Sequence, residues 1–266
     1  MKNPVFTGAG VAIITPMYED GSINFDELGR IIEDQIAHHT DAIIICGTTG
    51  ECSTMTDEEQ LAAIKYTVDV VNHRVPVIAG AGSNDTDHGC ALAAKSAECG
   101  ADALLMVTPY YNKASQTGLI KHYEYIADRV ELPIILYNIP GRCSINMEGD
   151  TTLRLAHNCD NVVAIKEASG NFEQIKYIID NAPAGFDVYS GDDSSTLDIM
   201  ELGGVGVIST IGNVAPDRMK AIVDLAAKGE WDAAREANEA LMPLMKGLFE
   251  TSNPILVKEA LSLVGF

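Results

Sequence analysis

Short continuous runs of β-branched and small apolar residues recur along the chain. Longer stretches separate them, with apolar positions repeating every three to four residues. Eight such runs stand in order: Val11–Thr15, Ala42–Cys46, Val77–Ala81, Ala103–Thr108, Ile134–Asn138, Val162–Lys166, Asp187–Ser190 and Gly206–Ser209. Runs without polar alternation fit strands covered on both faces. Between them, helical spacing is read at Asp26–His39, Asp57–His73, Thr86–Cys99, Gly118–Arg129 and Asn171–Asn181. Asp57, Glu58 and Glu59 load one helix start with negative charge, as the helix dipole favours. Pro76 and Pro133 stand just before strands, where a helix cannot continue.

Eight strand–helix alternations without a linker predict a (β/α)8 TIM barrel of the α/β class. A doubly wound sheet fits less well, because its glycine-rich first turn is missing. Gly8-Ala9-Gly10 is read here as preceding the first strand rather than following it. Pro216–Lys228, Trp231–Phe249 and Pro254–Val264 add helices after the eighth strand. Residues 1–228 are expected to form the barrel, and 229–266 a short C-terminal helical segment.

Composition narrows the function classes. The 266 residues are 47% hydrophobic, enough for a full core. A formal net charge of −20 argues against a nucleic-acid partner, which needs clustered Lys and Arg. Met1–Gly10 lacks a basic stretch followed by an apolar one, and no apolar run approaches a membrane span, so a cytoplasmic protein is expected. The six cysteines form no CxxC pair or regular framework and read as small core or loop residues in a reducing compartment.

Lys166 is the residue most at odds with its surroundings. It ends Val162-Val163-Ala164-Ile165, a run that predicts burial. A lysine there either snorkels to solvent or to Glu167, or is desolvated into a neutral amine able to attack carbonyls. The strand alone leaves both open. In a barrel, however, the C-terminal strand ends meet at one mouth. There the chain offers Gly47-Thr48-Thr49-Gly50-Glu51, Thr108-Pro109-Tyr110-Tyr111-Asn112, Tyr137-Asn138-Ile139-Pro140-Gly141-Arg142 and Ser190-Gly191-Asp192-Asp193. If the two adjacent tyrosines are buried, their hydroxyls need a partner, and Thr49 is a candidate. Arg142 has the planar fork that suits a carboxylate. Asp192 and Asp193 have no histidine or third carboxylate at ligand spacing, so they read as caps of the following helix rather than a metal site. No cofactor fingerprint and no metal set is found. An amine beside a tyrosine, with hydroxyls and an arginine nearby, is what Schiff-base chemistry on a keto acid needs.

The first three of these segments, with Ile165-Lys166-Glu167-Ala168-Ser169, resemble the dihydrodipicolinate synthase family, within the N-acetylneuraminate lyase superfamily of class I aldolases. The resemblance covers nearly the whole chain. It implies a lyase that condenses pyruvate with L-aspartate 4-semialdehyde on the route to diaminopimelate and lysine. Lys166 would carry the imine, and Tyr137, Thr49 and Tyr111 would relay protons, Tyr111 reaching in from a neighbouring subunit. Thr48 and Thr49 would hold the pyruvate carboxylate, Arg142 the semialdehyde carboxylate, and Gly191 and Ile208 would offer backbone carbonyls. A shared Tyr111 implies a homodimer or a homotetramer built as a dimer of dimers.

Three departures from the family pattern stand out. Cys143-Ser144 replaces a Thr-Gly pair after Arg142, a change expected to leave the chemistry intact. The family's L-lysine effector site would fall on Asp57, Gln60, Asn84, His88 and Tyr110. His88 stands where inhibited relatives often carry a glutamate, which predicts weak or absent inhibition. The chain stops at Gly265-Phe266, short of further helices usual in relatives, so part of the C-terminal bundle and its subunit packing are expected to differ. A related pyruvate-dependent aldolase, cleaving N-acetylneuraminate or a 2-keto-3-deoxy sugar acid, would share the lysine and the tyrosine. A non-catalytic keto-acid-binding barrel is the remaining alternative.

Overall fold

The computed structural model describes residues 4–266, so the first three residues of the Met1–Gly10 stretch and of the expected barrel lie outside it. Eight parallel strands close on themselves in chain order: β1 (Gly8–Ala12), β2 (Ala42–Ile45), β3 (Val77–Gly80), β4 (Ala103–Val107), β5 (Ile134–Asn138), β6 (Val162–Glu167), β7 (Asp187–Ser190) and β8 (Gly206–Ser209). The outer layer and connections are α1 (Phe25–Ala37), α2 (Asp57–Val71), α3 (Thr86–Glu98), α4 (Gln116–Ala127), α5 (Pro140–Cys143), α6 (Gly149–Asn158), α7 (Phe172–Asn181), α8 (Thr196–Leu202) and α9 (Pro216–Ala227). Two further helices, α10 (Trp231–Gly247) and α11 (Ile255–Val264), complete the chain.

Two cores follow from the period of two along each strand. Side chains such as Ala12, Ile44, Ile78, Leu105, Ile135, Ala164, Tyr189 and Ile208 fill the barrel, while Val11, Ile43, Ile45, Leu104, Leu136 and Ile165 pack outward against the helices. The acid-loaded start of α2 is also closed by a capping box: Thr56 Oγ1 accepts from the Glu59 amide, and Glu59 accepts in return from the Thr56 amide.

The first strand lies three residues earlier than its apolar pattern suggests, so Gly8-Ala9-Gly10 is inside β1 and not before it. The reason is close packing at the seam that closes the barrel. Gly8 pairs with Gly206. A Cβ on Gly206, whose φ is +150°, would lie 1.9 Å from the Gly8 carbonyl oxygen. On Gly10 it would lie 2.9 Å from the Phe6 ring. Glycines that read as a loop are therefore strand residues without room for side chains.

Candidate active site

Strand alternation puts Lys166 on the same face of β6 as Ala164, inside the barrel at its C-terminal end. It pairs in register with Tyr137 on β5 and Tyr189 on β7. The side chain is only 5% exposed, and Nζ sits 4.3 Å from the centre of the Tyr137 ring. The snorkelling alternative fails on both points. Glu167 does not pair with the amine either; it faces outward and accepts from Asn138, Ser169 and Gln174. Burial lowers the Lys166 pKa from 10.5 to about 8, with the Arg142 charge adding to the effect and the Asp193 carboxylate opposing it. About one amine in ten is then neutral at pH 7, against one in a few thousand for an ordinary lysine.

Around this amine lies a cavity of about 280 Å³ lined by Thr48, Thr49, Tyr137, Arg142, Gly191 and Asn253, among others. Burial pushes the Tyr137 hydroxyl well above its ordinary pKa, against the opposing pull of the Arg142 charge and of a hydrogen bond with the Thr48 side chain. Tyr137 therefore keeps its proton at neutral pH and can pass it on. Thr48 and Thr49 sit in a turn held from three sides: Thr15 donates to the Gly50 carbonyl (2.7 Å), Glu51 N donates to Thr48 O (3.0 Å), and Lys258 donates to Glu51 (2.6 Å). Arg142 is set at the mouth by α5, a single turn started by Pro140, and its Nη2 donates to the Asn253 main-chain oxygen (3.4 Å). Gly191 approaches Lys166 closely enough that a Cβ there would lie 3.1 Å from the lysine Cε. Ile208 is buried within the barrel on β8.

Several expected residues take other places. The hydroxyl of Thr49 is engaged elsewhere than at Tyr137: its Oγ1 accepts from Asn253 Nδ2 (2.9 Å) and lies 3.5 Å from Thr210 Oγ1. Thr48 supplies the hydroxyl beside Tyr137 instead. Tyr110 and Tyr111 are 40% and 88% exposed, so neither needs the internal partner proposed for it, and Tyr111 does not reach the cavity of its own subunit. Asp193 does not cap its own helix. Its buried carboxylate takes the Ser209 hydroxyl (2.5 Å) and the amides of Thr210 (3.0 Å) and Ile211 (2.9 Å), tying β7 to the turn after β8.

Of the expected effector set, His88 Nε2 lies 2.9 Å from Asp57 Oδ1, and its Nδ1 lies 3.0 Å from Ser83 Oγ. Tyr110 hydrogen-bonds in the same region, with Ser83 and Asn84. Gln60 is instead buried, its amide donating to the Cys52 and Met55 carbonyls.

Asn253, Phe249 and Thr210 line the cavity without having been singled out beforehand. Thr210 follows β8, so the strand-end rule reaches it. Asn253 and Phe249 come from the segment between α10 and α11, where no strand periodicity points to the mouth.

The fold and site define a (β/α)8 barrel built around one desolvated lysine at the end of its sixth strand, an amine able to add to a carbonyl. Residues 5–266 match the Dihydrodipicolinate synthetase family. The chain is 50% identical over 263 residues to the 4-hydroxy-tetrahydrodipicolinate synthase of Thermoanaerobacter sp. (strain X514), covering 99% of this chain and 88% of the relative. It superimposes on dihydrodipicolinate synthase from Aquifex aeolicus with a TM-score of 0.96 at 44% identity, covering 98% of this chain and 88% of the other. The chloride-inhibited dihydrodipicolinate synthase from Acinetobacter baumannii, complexed with pyruvate, matches with a TM-score of 0.95 at 43% identity, covering 97% and 89%. The chain belongs to the dihydrodipicolinate synthetase family.

Proposed function

We propose that this chain is a 4-hydroxy-tetrahydrodipicolinate synthase, a lyase of lysine and diaminopimelate biosynthesis that condenses pyruvate with L-aspartate 4-semialdehyde. The observation that carries the reading is the buried Lys166 amine, its pKa lowered to about 8, opening on a cavity with Thr48, Tyr137 and Arg142. The neutral amine attacks the pyruvate carbonyl carbon, and loss of water leaves the imine. Deprotonation of the methyl group gives the enamine, whose carbon adds to the semialdehyde aldehyde. The substrate's own amine then displaces Lys166 and closes the ring. Every step moves a proton, and Tyr137 with Thr48 forms the relay within the subunit. Thr48 and Thr49 hold the pyruvate carboxylate, Arg142 the semialdehyde carboxylate, and the Gly191 and Ile208 carbonyls border the reacting atoms.

Tyr111 completes the relay by entering a neighbouring subunit's site, so the working unit is at least a homodimer. Its exposure on the loop after β4 leaves it free to do so. The protein works in the cytoplasm.

Incubation with pyruvate and L-aspartate 4-semialdehyde should yield the cyclic product. Cleavage of N-acetylneuraminate or of a 2-keto-3-deoxy sugar acid in its place would overturn this in favour of a related aldolase. Arg142 favours the synthase, because a second short substrate brings its own carboxylate to the mouth.

At the effector patch, His88 faces Asp57 and offers no carboxylate to an incoming ammonium. Inhibition by L-lysine is therefore weak or absent. Rate measurements across a lysine titration check this, and half-inhibition in the micromolar range would refute it.

A further inference from the structure

Asn253 touches one side chain assigned to each substrate carboxylate, Thr49 and Arg142. Its Nδ2 donates to Thr49 Oγ1 (2.9 Å), and its main-chain oxygen accepts from Arg142 Nη2 (3.4 Å). It stands between α10 and α11, far along the chain from either partner. A threonine hydroxyl has one proton to give. With its oxygen engaged as acceptor by Asn253, the Thr49 proton must point elsewhere. The other hydroxyl near it, that of Thr210, lies at 3.5 Å, the outer limit of a hydrogen bond. The Thr49 proton is thus available to an anion in the cavity.

The asparagine is itself an anomaly. It is 9% exposed, and its Oδ1 is buried with no hydrogen-bond partner among the described residues. A leucine would fill similar space without an unmet acceptor, so packing does not explain an amide here. Its donor does.

We infer that Asn253 is a positioning residue for carboxylate recognition: it turns the Thr49 hydroxyl proton toward the pyruvate carboxylate, while its carbonyl fixes the Arg142 guanidinium. The inference rests on the cavity's taking pyruvate, as proposed above. Losing the donor should weaken pyruvate binding more than it slows the chemistry at Lys166, since Asn253 touches neither the amine nor Tyr137.

The test is a double-mutant cycle read by pyruvate KM and by the pyruvate concentration that half-saturates borohydride trapping at Lys166. Asn253→Leu removes the donor, and Asn253→Asp reverses the bond by drawing the Thr49 proton to itself. Each is expected to raise pyruvate KM at least tenfold with kcat within threefold, and Asn253→Asp the more, because it adds like charge. Thr49→Val with Asn253→Leu should be no worse than Thr49→Val alone. Unchanged pyruvate half-saturation in both single variants, or additive losses in the double variant, would overturn the inference. If one variant fails to fold by circular dichroism, the other decides. An unmodified wild-type Lys166 after trapping would instead overturn the pyruvate reading beneath it, which separates the two failures.

Discussion

At the scale of single residues, burial decides chemistry. Lys166 and Asp187 are both ionisable groups on barrel strands, at opposite ends, and desolvation moves each toward its neutral form. For Lys166 the result is a nucleophile. For Asp187, at the start of β7, burial alone raises the pKa from 3.8 to about 6, and Oδ2 has no partner among the described residues. A carboxylate raised in the folded state opposes folding once ionised. The penalty is absent below the unfolded pKa, grows as pH rises from 3.8 to about 6, and is constant above that. Asp187→Asn should therefore leave stability nearly unchanged at pH 4 and raise it by about 1–2 kcal/mol at pH 7, a figure discounted for partial solvent contact. Urea unfolding at the two pH values checks this, and an equal effect at both would contradict it. The bottom of a barrel carries stability rather than catalysis, so activity should survive the change.

At the scale of elements, the closing seam shows what the sequence did and did not reveal. Seven strands were legible from apolar runs, and the order of the elements followed from their alternation. β1 was displaced because Gly8 and Gly10 carry no hydrophobic signal, although the seam requires their lack of a side chain. A methyl at Gly206 would collide with the β1 backbone, and its φ of +150° is strained for any other residue. Gly206→Ala should cost more than about 3 kcal/mol or prevent folding, whereas Gly247→Ala, open around its α carbon in α10, should gain up to about 1 kcal/mol from helix propensity. Thermal unfolding of both variants compares them directly. The site was legible in the same uneven way. Strand ends gave Lys166, Tyr137, Thr48, Thr49 and Arg142, because period-two alternation fixes which residues face the mouth. The choice between Thr48 and Thr49 as Tyr137's neighbour depends on how one turn bends, and Asn253 arrives from a segment no strand rule covers.

At the scale of the whole molecule, a −20 charge spread over a closed barrel suits small anionic substrates only where positive groups are focused, and Lys166 and Arg142 share one mouth. Among the described residues, that mouth contains a single buried tyrosine hydroxyl of its own subunit, Tyr137, while Tyr111 is 88% exposed. Solution mass measurement should therefore give at least twice the 28.5 kDa subunit at assay concentration, and activity should fall as dilution separates the subunits. A fully active monomer would contradict the shared relay. Everything else in the reading depends on the lysine. Incubating the protein with pyruvate and borohydride, then weighing the intact chain and mapping the modified peptide, tests that dependence most directly. A single reduced pyruvate adduct on Lys166, lost in Lys166→Ala while the fold persists, is the expected result; a chain of unchanged mass, or an adduct on another lysine, would contradict the assignment of Lys166 as the imine-forming residue.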